Sequence, residues 1–361
     1  MFGDISSEGK TFVTLLGITA YQVGIAVWMK WKRWQRCEAV GKVVGIFQYP
    51  VKSCKAIQLK AARCTYQGLH FDGLYDSEQV ESWHQFQNQR SLALWHQFQN
   101  QRSLTSDFSY TYLHWMIIQA NGDFLTQRQY PKMALIFTSS HGDKLCLDAP
   151  GMETLALSNN PPVDHSKIRS CRVWSDRIEA LDCGNDAGAW ASQYLGTEGL
   201  RIVFSASYMP KRDITLEDKP WGNPAQPGDV SAFSDWSSFM ILTTASIHDL
   251  NERLKEPVTV ENFRPNLLIE NSSPFDEDEW DEIQIGDKVV LRCLDPCTRC
   301  VVTTVNPKTG IKSPEGEPLD TLKKFRQFSK YGTSPCFGVN ATPDIEGDIR
   351  VGDTVYAIKR N

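Results

Sequence analysis

Along most of this chain, apolar and polar positions exchange over short distances, the period-two signature of half-buried strands. VGKVVGIFQYPV, HWMIIQA, MALIFTSS, KLCLDA and IRSCRVW are short β-branched or aromatic runs, and VGDTVYAI is the last of them. Gly, Asn, Asp and Pro punctuate these runs, which predicts antiparallel sheets or barrels. Helical spacing is evident at two places. NDAGAWASQYLG predicts a helix from Asn185 that Gly196 stops. ASIHDLNERL predicts another from about Ala245 to Leu254, with Ile247, Leu250 and Leu254 on one face. NPPVDHS (Asn160–Ser166) has the composition of a linker. The acid run DEDEWDE (Asp276–Glu282) is expected to be a solvated loop rather than a metal site.

The N-terminus departs from this pattern. Thr11–Met29 contains no charged residue, and as a helix it would rise about 28 Å, close to the hydrocarbon thickness of a bilayer. Lys30, Lys32, Arg33 and Arg36 follow at once, with Trp28, Trp31 and Trp34 at interface depth. This charge order is the reverse of a cleaved secretory signal. It predicts a signal anchor with the main body on the cytosolic side. WHQFQNQRSL then occurs twice, at Trp83–Leu92 and Trp95–Leu104. Two copies at so short a period make no stacking architecture; the segment reads as a local duplication or a gene-model error.

The length of 361 residues predicts roughly two domains. With 41% hydrophobic and 22% charged residues, whole-chain disorder is excluded. The net charge of −5 removes a generic basic footprint for nucleic acid. Ten cysteines are too sparse for a disulfide scaffold, and a cytosolic body predicts thiols or ligands instead of bridges.

Chemistry concentrates in RCLDPCTRCVVTTVNP, where Cys293, Cys297 and Cys300 are spaced C-x3-C-x2-C. Zinc or an iron–sulfur cluster would need a fourth ligand. No histidine follows His248, and Cys336 is isolated. Cys293 sits in the apolar alternation VVLRCL and is expected to pack in a core. Cys300 follows Arg299, and cations favour the thiolate that soft or high-valent metals bind.

PCTRCVVTTVNPKTG (Pro296–Gly310) strongly resembles the cysteine motif of the MOSC-domain family, in which the cysteine after the Arg binds molybdenum. YPVKSCK (Tyr49–Lys55) resembles the opening of that family's N-terminal barrel. FSDWSSFMILTTASIHDLN (Phe233–Asn251) and NFRPNLLIE (Asn262–Glu270) resemble its pterin-cradling segments, and SPCFGVN (Ser334–Asn340) and the late VGD complete the set. With an anchor ahead of them, these motifs resemble the amidoxime-reducing branch of the family, molybdenum enzymes of the outer mitochondrial membrane.

That resemblance implies a mainly β fold with some α. It places a transmembrane helix in 1–37, an N-terminal MOSC-type β-barrel domain at 38–170 carrying the insert 83–104, and a C-terminal MOSC β-barrel domain at 171–361. It implies a molybdenum cofactor (Mo-molybdopterin) with Cys300 as metal ligand, Cys300 and Asp235 as catalytic residues, and Lys52, Ser53, Asp235, Ser237, Arg264, Asn266, Thr298 and Arg299 around the pterin. The residue types suit those roles. Arg264 offers a planar fork and Lys52 a point charge for phosphate. Ser53, Ser237 and Thr298 can donate hydroxyl hydrogens, and Asp235 can accept from pterin N–H groups. Pro265 stiffens the chain before Asn266, which can donate and accept.

The implied reaction removes oxygen from N-hydroxylated small molecules such as amidoximes and hydroxamic acids, and from nitrite. No GxGxxG follows a strand, so electrons have to come from partners: by resemblance, cytochrome b5 and its NADH-dependent reductase at the same membrane. A MOSC module that only carries the cofactor is the alternative. Lys211 and Arg212, in SYMPKR, could guide an anionic substrate or the b5 partner, or be ordinary surface cations. One position departs from the pattern: Leu113 stands where the family carries an Arg before the His-Trp pair. The charge-assisted hydrogen bond that such an Arg would give a cofactor is worth about 1.5–3 kcal/mol, and Arg90 or Arg102 could supply it instead.

Overall fold

The computed structural model describes residues 36–70, 114–271 and 273–360. The expected anchor at Thr11–Met29, the repeated WHQFQNQRSL segments and Leu113 lie outside the described residues. Among the described residues, no helix is long and apolar enough to cross a membrane.

Among the described residues the fold is mainly β with three α-helices, Asn185–Leu195, Thr244–Glu252 and Leu319–Phe325. Seven strands form a closed ring: Leu267–Glu270, Phe239–Thr243, Cys336–Ile345, Val289–Thr298, Trp280–Ile285, Thr354–Lys359 and Glu38–Gln48, the last pairing back onto the first. Closure leaves no free edge in the ring, and alternate side chains fill its interior. Val43, Ile46, Phe239, Ile241, Ile269, Ile283, Leu291, Val339 and Val355 do so. Cys293 joins them, 5% exposed, as its place in VVLRCL predicts. Within the ring only Phe239–Thr243 and Leu267–Glu270 run parallel, and helix Thr244–Glu252 lies in the crossover such a pair requires.

The ring closes through the most N-terminal described strand. Glu38–Gln48 pairs antiparallel with Thr354–Lys359 on one edge and with Leu267–Glu270 on the other, with register shifts at Ala39/Gly41 and Val43/Gly45. Gly41 permits this seam, since a Cβ there would stand 1.8 Å from the Glu270 carbonyl oxygen. Among the described residues one ring is closed, and strands of the N-terminal half lie in further, separate sheets.

Beside the barrel lies a second lobe. Its four-stranded sheet has the order Trp115–Ile118, Arg201–Phe204, Asp176–Asp182, Ile168–Val173. Residue 170, where the sequence placed a domain boundary, falls inside the last of these strands. Helix Asn185–Leu195 buries Ala187, Trp190, Ala191 and Leu195 against Trp115, Ile202 and Phe204. Gly196 ends it in the left-handed conformation at φ 70°, the stop the sequence predicts.

The acid run is also corrected. Asp276–Glu279 forms a 3-10 turn in which Glu277 is 0% exposed and accepts from Thr243 Oγ1 and Ser246 Oγ, both at 2.9 Å. Asp278 pairs with Arg326, and Asp276 with Lys359 and Trp280 Nε1. Composition marked a charged run; it could not show that internal hydroxyls and cations were waiting for those carboxylates. No disulfide links any of the ten cysteines, as expected.

Candidate active site

Between barrel and lobe lies a cavity of about 490 Å³. The segment after the first barrel strand stitches the two together: Lys52 N donates to Trp115 O and Trp115 N to Pro50 O, both at 2.8 Å. That stitch carries Lys52 and Ser53 into the cavity wall. From the barrel side, the strand Val289–Thr298 loses regular register between Cys293 and Thr298, and such bulges bend a strand and re-aim its end. Its continuation brings Cys297, Thr298, Arg299 and Cys300 to the opposite wall. Every residue assigned from sequence lines this space: Lys52, Ser53, Asp235, Ser237, Arg264, Asn266, Thr298, Arg299 and Cys300.

Their local roles differ. Lys52 Nζ donates to Phe233 O at 2.7 Å and pairs with Asp235. Burial lowers the pKa of Lys52, against the pull of Asp235. Burial works against ionisation of Asp235 too, but the charges of Lys52 and Arg128 and the Trp174 N–H outweigh it and hold the carboxyl down to about 2. Asp235 is therefore an anion at neutral pH, suited to accept hydrogen bonds. Arg264 donates Nη1 to Cys54 O at 2.6 Å, and its guanidinium lies 4.1 Å over the Tyr49 ring.

Other members of the set are engaged with the protein itself. Asn266 Oδ1 accepts from Met240 N at 3.0 Å and Nδ2 donates to Phe47 O at 3.3 Å, so this side chain fixes two barrel strands. Ser237 Oγ donates to Phe239 O at 2.8 Å. Arg299, 9% exposed, donates Nε to Phe337 O at 2.8 Å and Nη1 to Phe263 O at 3.0 Å. It braces the loops behind the cysteine as an internal strut. Lys211 and Arg212 also turn inward. Lys211 bonds Ser205 Oγ and Ala206 O, and Arg212 is 4% exposed and paired with Asp176. Neither is a surface cation.

Two cysteines reach the cavity, and their surroundings separate them. Burial raises the Cys297 thiol, with Arg299 only partly offsetting it. Cys300 instead receives a hydrogen bond from Arg128 Nη2 at 3.2 Å. Arg128 was missed in the sequence, since nothing in NGDFLTQRQYPK separates it from a surface cation. The Arg128 guanidinium lies 4.6 Å over the Trp174 ring, and Trp174 Nε1 donates to Asp235 Oδ1 at 3.2 Å. A chain of contacts thus joins Lys52, Asp235, Trp174, Arg128 and Cys300.

The backbone marks the same place. Four described non-glycine residues have φ in the left-handed region, and Ser53 (66°), Trp174 (55°) and Arg264 (56°) among them line the cavity. Such residues cost on the order of 1–3 kcal/mol each and gather at ligand sites. Trp236 Nε1 and Gln67 Oε1, buried in the same wall, have no hydrogen-bond partner among the described groups. The lining fits a large polar anion with a soft-metal centre: two cysteine sulfurs, one of them hydrogen-bonded by a guanidinium, with buried cations, hydroxyls and an unpartnered indole N–H, while the Gln67 oxygen is left to accept from a ligand N–H.

The geometry therefore defines a class in which two β-rich parts share one polar, cysteine-bearing cavity, and the comparisons agree with it. Residues 229–356 match the MOSC domain, and residues 40–90 and 112–198 match the MOSC N-terminal beta barrel domain. The chain belongs to the MOSC-domain family. It is 34% identical to mitochondrial amidoxime-reducing component 1 of Homo sapiens, over 98% of this chain and 94% of that protein. Its identity to human mitochondrial amidoxime reducing component 2 is 33%, over 95% and 92% of the two chains. Component 1 of Danio rerio is 31% identical over 97% and 95%.

Proposed function

We propose that this protein is a molybdenum-cofactor-dependent reductase of N-hydroxylated small molecules, amidoximes and hydroxamic acids among them, with nitrite as a further substrate. The observation that carries the proposal is the Cys300 sulfur in the cavity wall, hydrogen-bonded by Arg128 and opposite Lys52 and Asp235. Cys300 would hold the metal. Lys52, Arg264, Ser53 and Thr298 would hold the phosphate and pterin, while Arg299 and Asn266 keep the surrounding backbone in place. When bound, the cofactor supplies the two-electron chemistry that removes oxygen from nitrogen.

The protein's own share is binding, orientation and charge. Asp235, anionic and fixed by Lys52 and Trp174, orients N–H groups at the mouth of the cavity. Trp174, beneath Arg128, Trp236, beneath Lys219, and Trp221 supply the aromatic share of the cavity wall. Electrons come from outside the chain, in this proposal from cytochrome b5 and its NADH-dependent reductase. The protein sits on the outer mitochondrial membrane through its N-terminal segment, and confinement to one membrane raises the effective concentration of such partners.

The test is molybdenum per chain, in a cofactor-producing host, for the parent and for Cys300→Ser, followed by benzamidoxime turnover with cytochrome b5 and its reductase. Near-stoichiometric metal that disappears in Cys300→Ser, together with turnover in the parent, supports the proposal. A folded parent that holds the metal without turnover is a carrier. A folded parent without metal ends the enzyme reading.

A further inference from the structure

We propose that Arg128 is the positioning residue of Cys300: it fixes the direction of the sulfur and offsets the charge that the sulfur carries as a metal ligand. This role rests on the proposed function above and adds to it a residue from the opposite lobe. The contact is direct, Nη2 to Sγ at 3.2 Å. A thiol or thiolate accepts such a bond, and a guanidinium can only donate.

Arg128 is held for this task by everything except a carboxylate. Among the described residues it forms no ion pair. Its guanidinium plane rests on the Trp174 ring at 4.6 Å. Its backbone belongs to a turn in which Arg128 N donates to Thr126 Oγ1, while Gln129 Oε1 accepts from both Thr126 N and Thr126 Oγ1. Lys312 Nζ, from the loop beyond the cysteine, donates to Arg128 O at 2.8 Å. The turn is therefore tied to the segment that bears its target. Trp174 itself stands in the left-handed region at φ 55° and is anchored to Asp235.

The chemistry follows from this pairing. Asp235 lies near enough to feel the charge of this arginine without pairing with it, and the guanidinium is stacked on an indole and directed at a sulfur. Partners of this kind, one bond removed from a metal ligand, set its orientation and charge donation, and their removal commonly weakens metal binding 10–100-fold. Lysine cannot reproduce the arrangement, because it has neither the planar fork nor the stacking face.

The test uses the full chain, produced in a cofactor-synthesising host, as parent, Arg128→Gln and Arg128→Lys. Molybdenum per chain is followed by mass spectrometry through prolonged dialysis, and the Mo(V) paramagnetic resonance spectrum is recorded after partial reduction. Thermal unfolding checks the fold. Arg128→Gln is expected to unfold near the parent's temperature, to lose metal about 10–100-fold faster and to show shifted Mo(V) g-values. Arg128→Lys is expected to recover part of the retention but not the parent spectrum. A folded Arg128→Gln with the parent's retention and spectrum overturns the role. Should Arg128→Gln fail to fold, a parent-like spectrum in Arg128→Lys overturns it equally. A parent without molybdenum overturns the reading of the whole site and this role with it, so the two failures are distinct.

Discussion

Glu277 gives the clearest thermodynamic prediction, because its environment is closed on every side. Its Oε2 accepts from Thr243 and Ser246, and its Oε1 has no partner among the described groups. Burial pushes the carboxyl from an ordinary 4.5 up to about 7, outweighing the hydrogen bonds that favour the anion. The folded state therefore binds a proton that the unfolded chain has released, and stability falls as pH rises through this interval. The interval of about 2.5 pH units, at 1.36 kcal/mol each, amounts to about 3 kcal/mol lost between pH 4.5 and 7 and constant above. Glu277→Gln keeps an acceptor for both hydroxyls and removes the titration. Urea unfolding of parent and variant across about pH 5 to 8 is expected to show a gap that opens in favour of Gln up to about pH 7 and then levels off. Parallel stability curves would refute the reasoning.

Three further outcomes are expected. Arg299→Lys loses the fork that joins Phe337 O and Phe263 O and should lower stability by about 2–3 kcal/mol; an unchanged calorimetric Tm would show that Arg299 is no strut. Gly338 has φ +76°, and a Cβ there would lie 2.6 Å from Ile241 O, so Gly338→Ala should cost about 2 kcal/mol or more in urea unfolding, and a neutral effect would contradict that geometry. Asp235→Asn removes the negative charge opposite the buried Lys52 ammonium and leaves it only neutral acceptors, the new amide oxygen and Phe233 O; molybdenum per chain should fall about tenfold, and parent-level metal would detach Asp235 from cofactor retention.

Much of this was legible in the sequence where the signal is local. Period-two alternation located the strands, Gly196 stopped its helix, and VVLRCL placed Cys293 in the barrel. The motif set brought nine residues to one cavity although they span positions 52 to 300. What stayed hidden depends on distant partners. The burial of Glu277 requires Thr243 and Ser246, and the inward turn of Arg212 requires Asp176. Helix Leu319–Phe325 is short, and with Pro318 as its N-cap and no side-chain cap it carries little of the usual start signal. Arg128 is the most instructive miss, because its function is defined by a sulfur 172 positions away.

The same reasoning explains why the cavity lies at the seam. A barrel interior filled by Ile46, Phe239, Ile241, Leu291 and Val339 has no room for a large polar ligand. The ligand has to be held where a second layer can be laid over the rim. Building the strand Glu38–Gln48 into the ring makes the chain leave the barrel at Tyr49–Lys55 and pair at once with Trp115 of the lobe. That single crossing delivers Lys52 to Asp235 and sets Ser53 in its left-handed conformation. It also holds the lobe close enough for Arg128 to meet a cysteine on the barrel's bulged strand end. The strand that closes the ring is therefore the one that carries the chain into the site, and substitutions that crowd the Gly41 seam should disturb ring and cavity together.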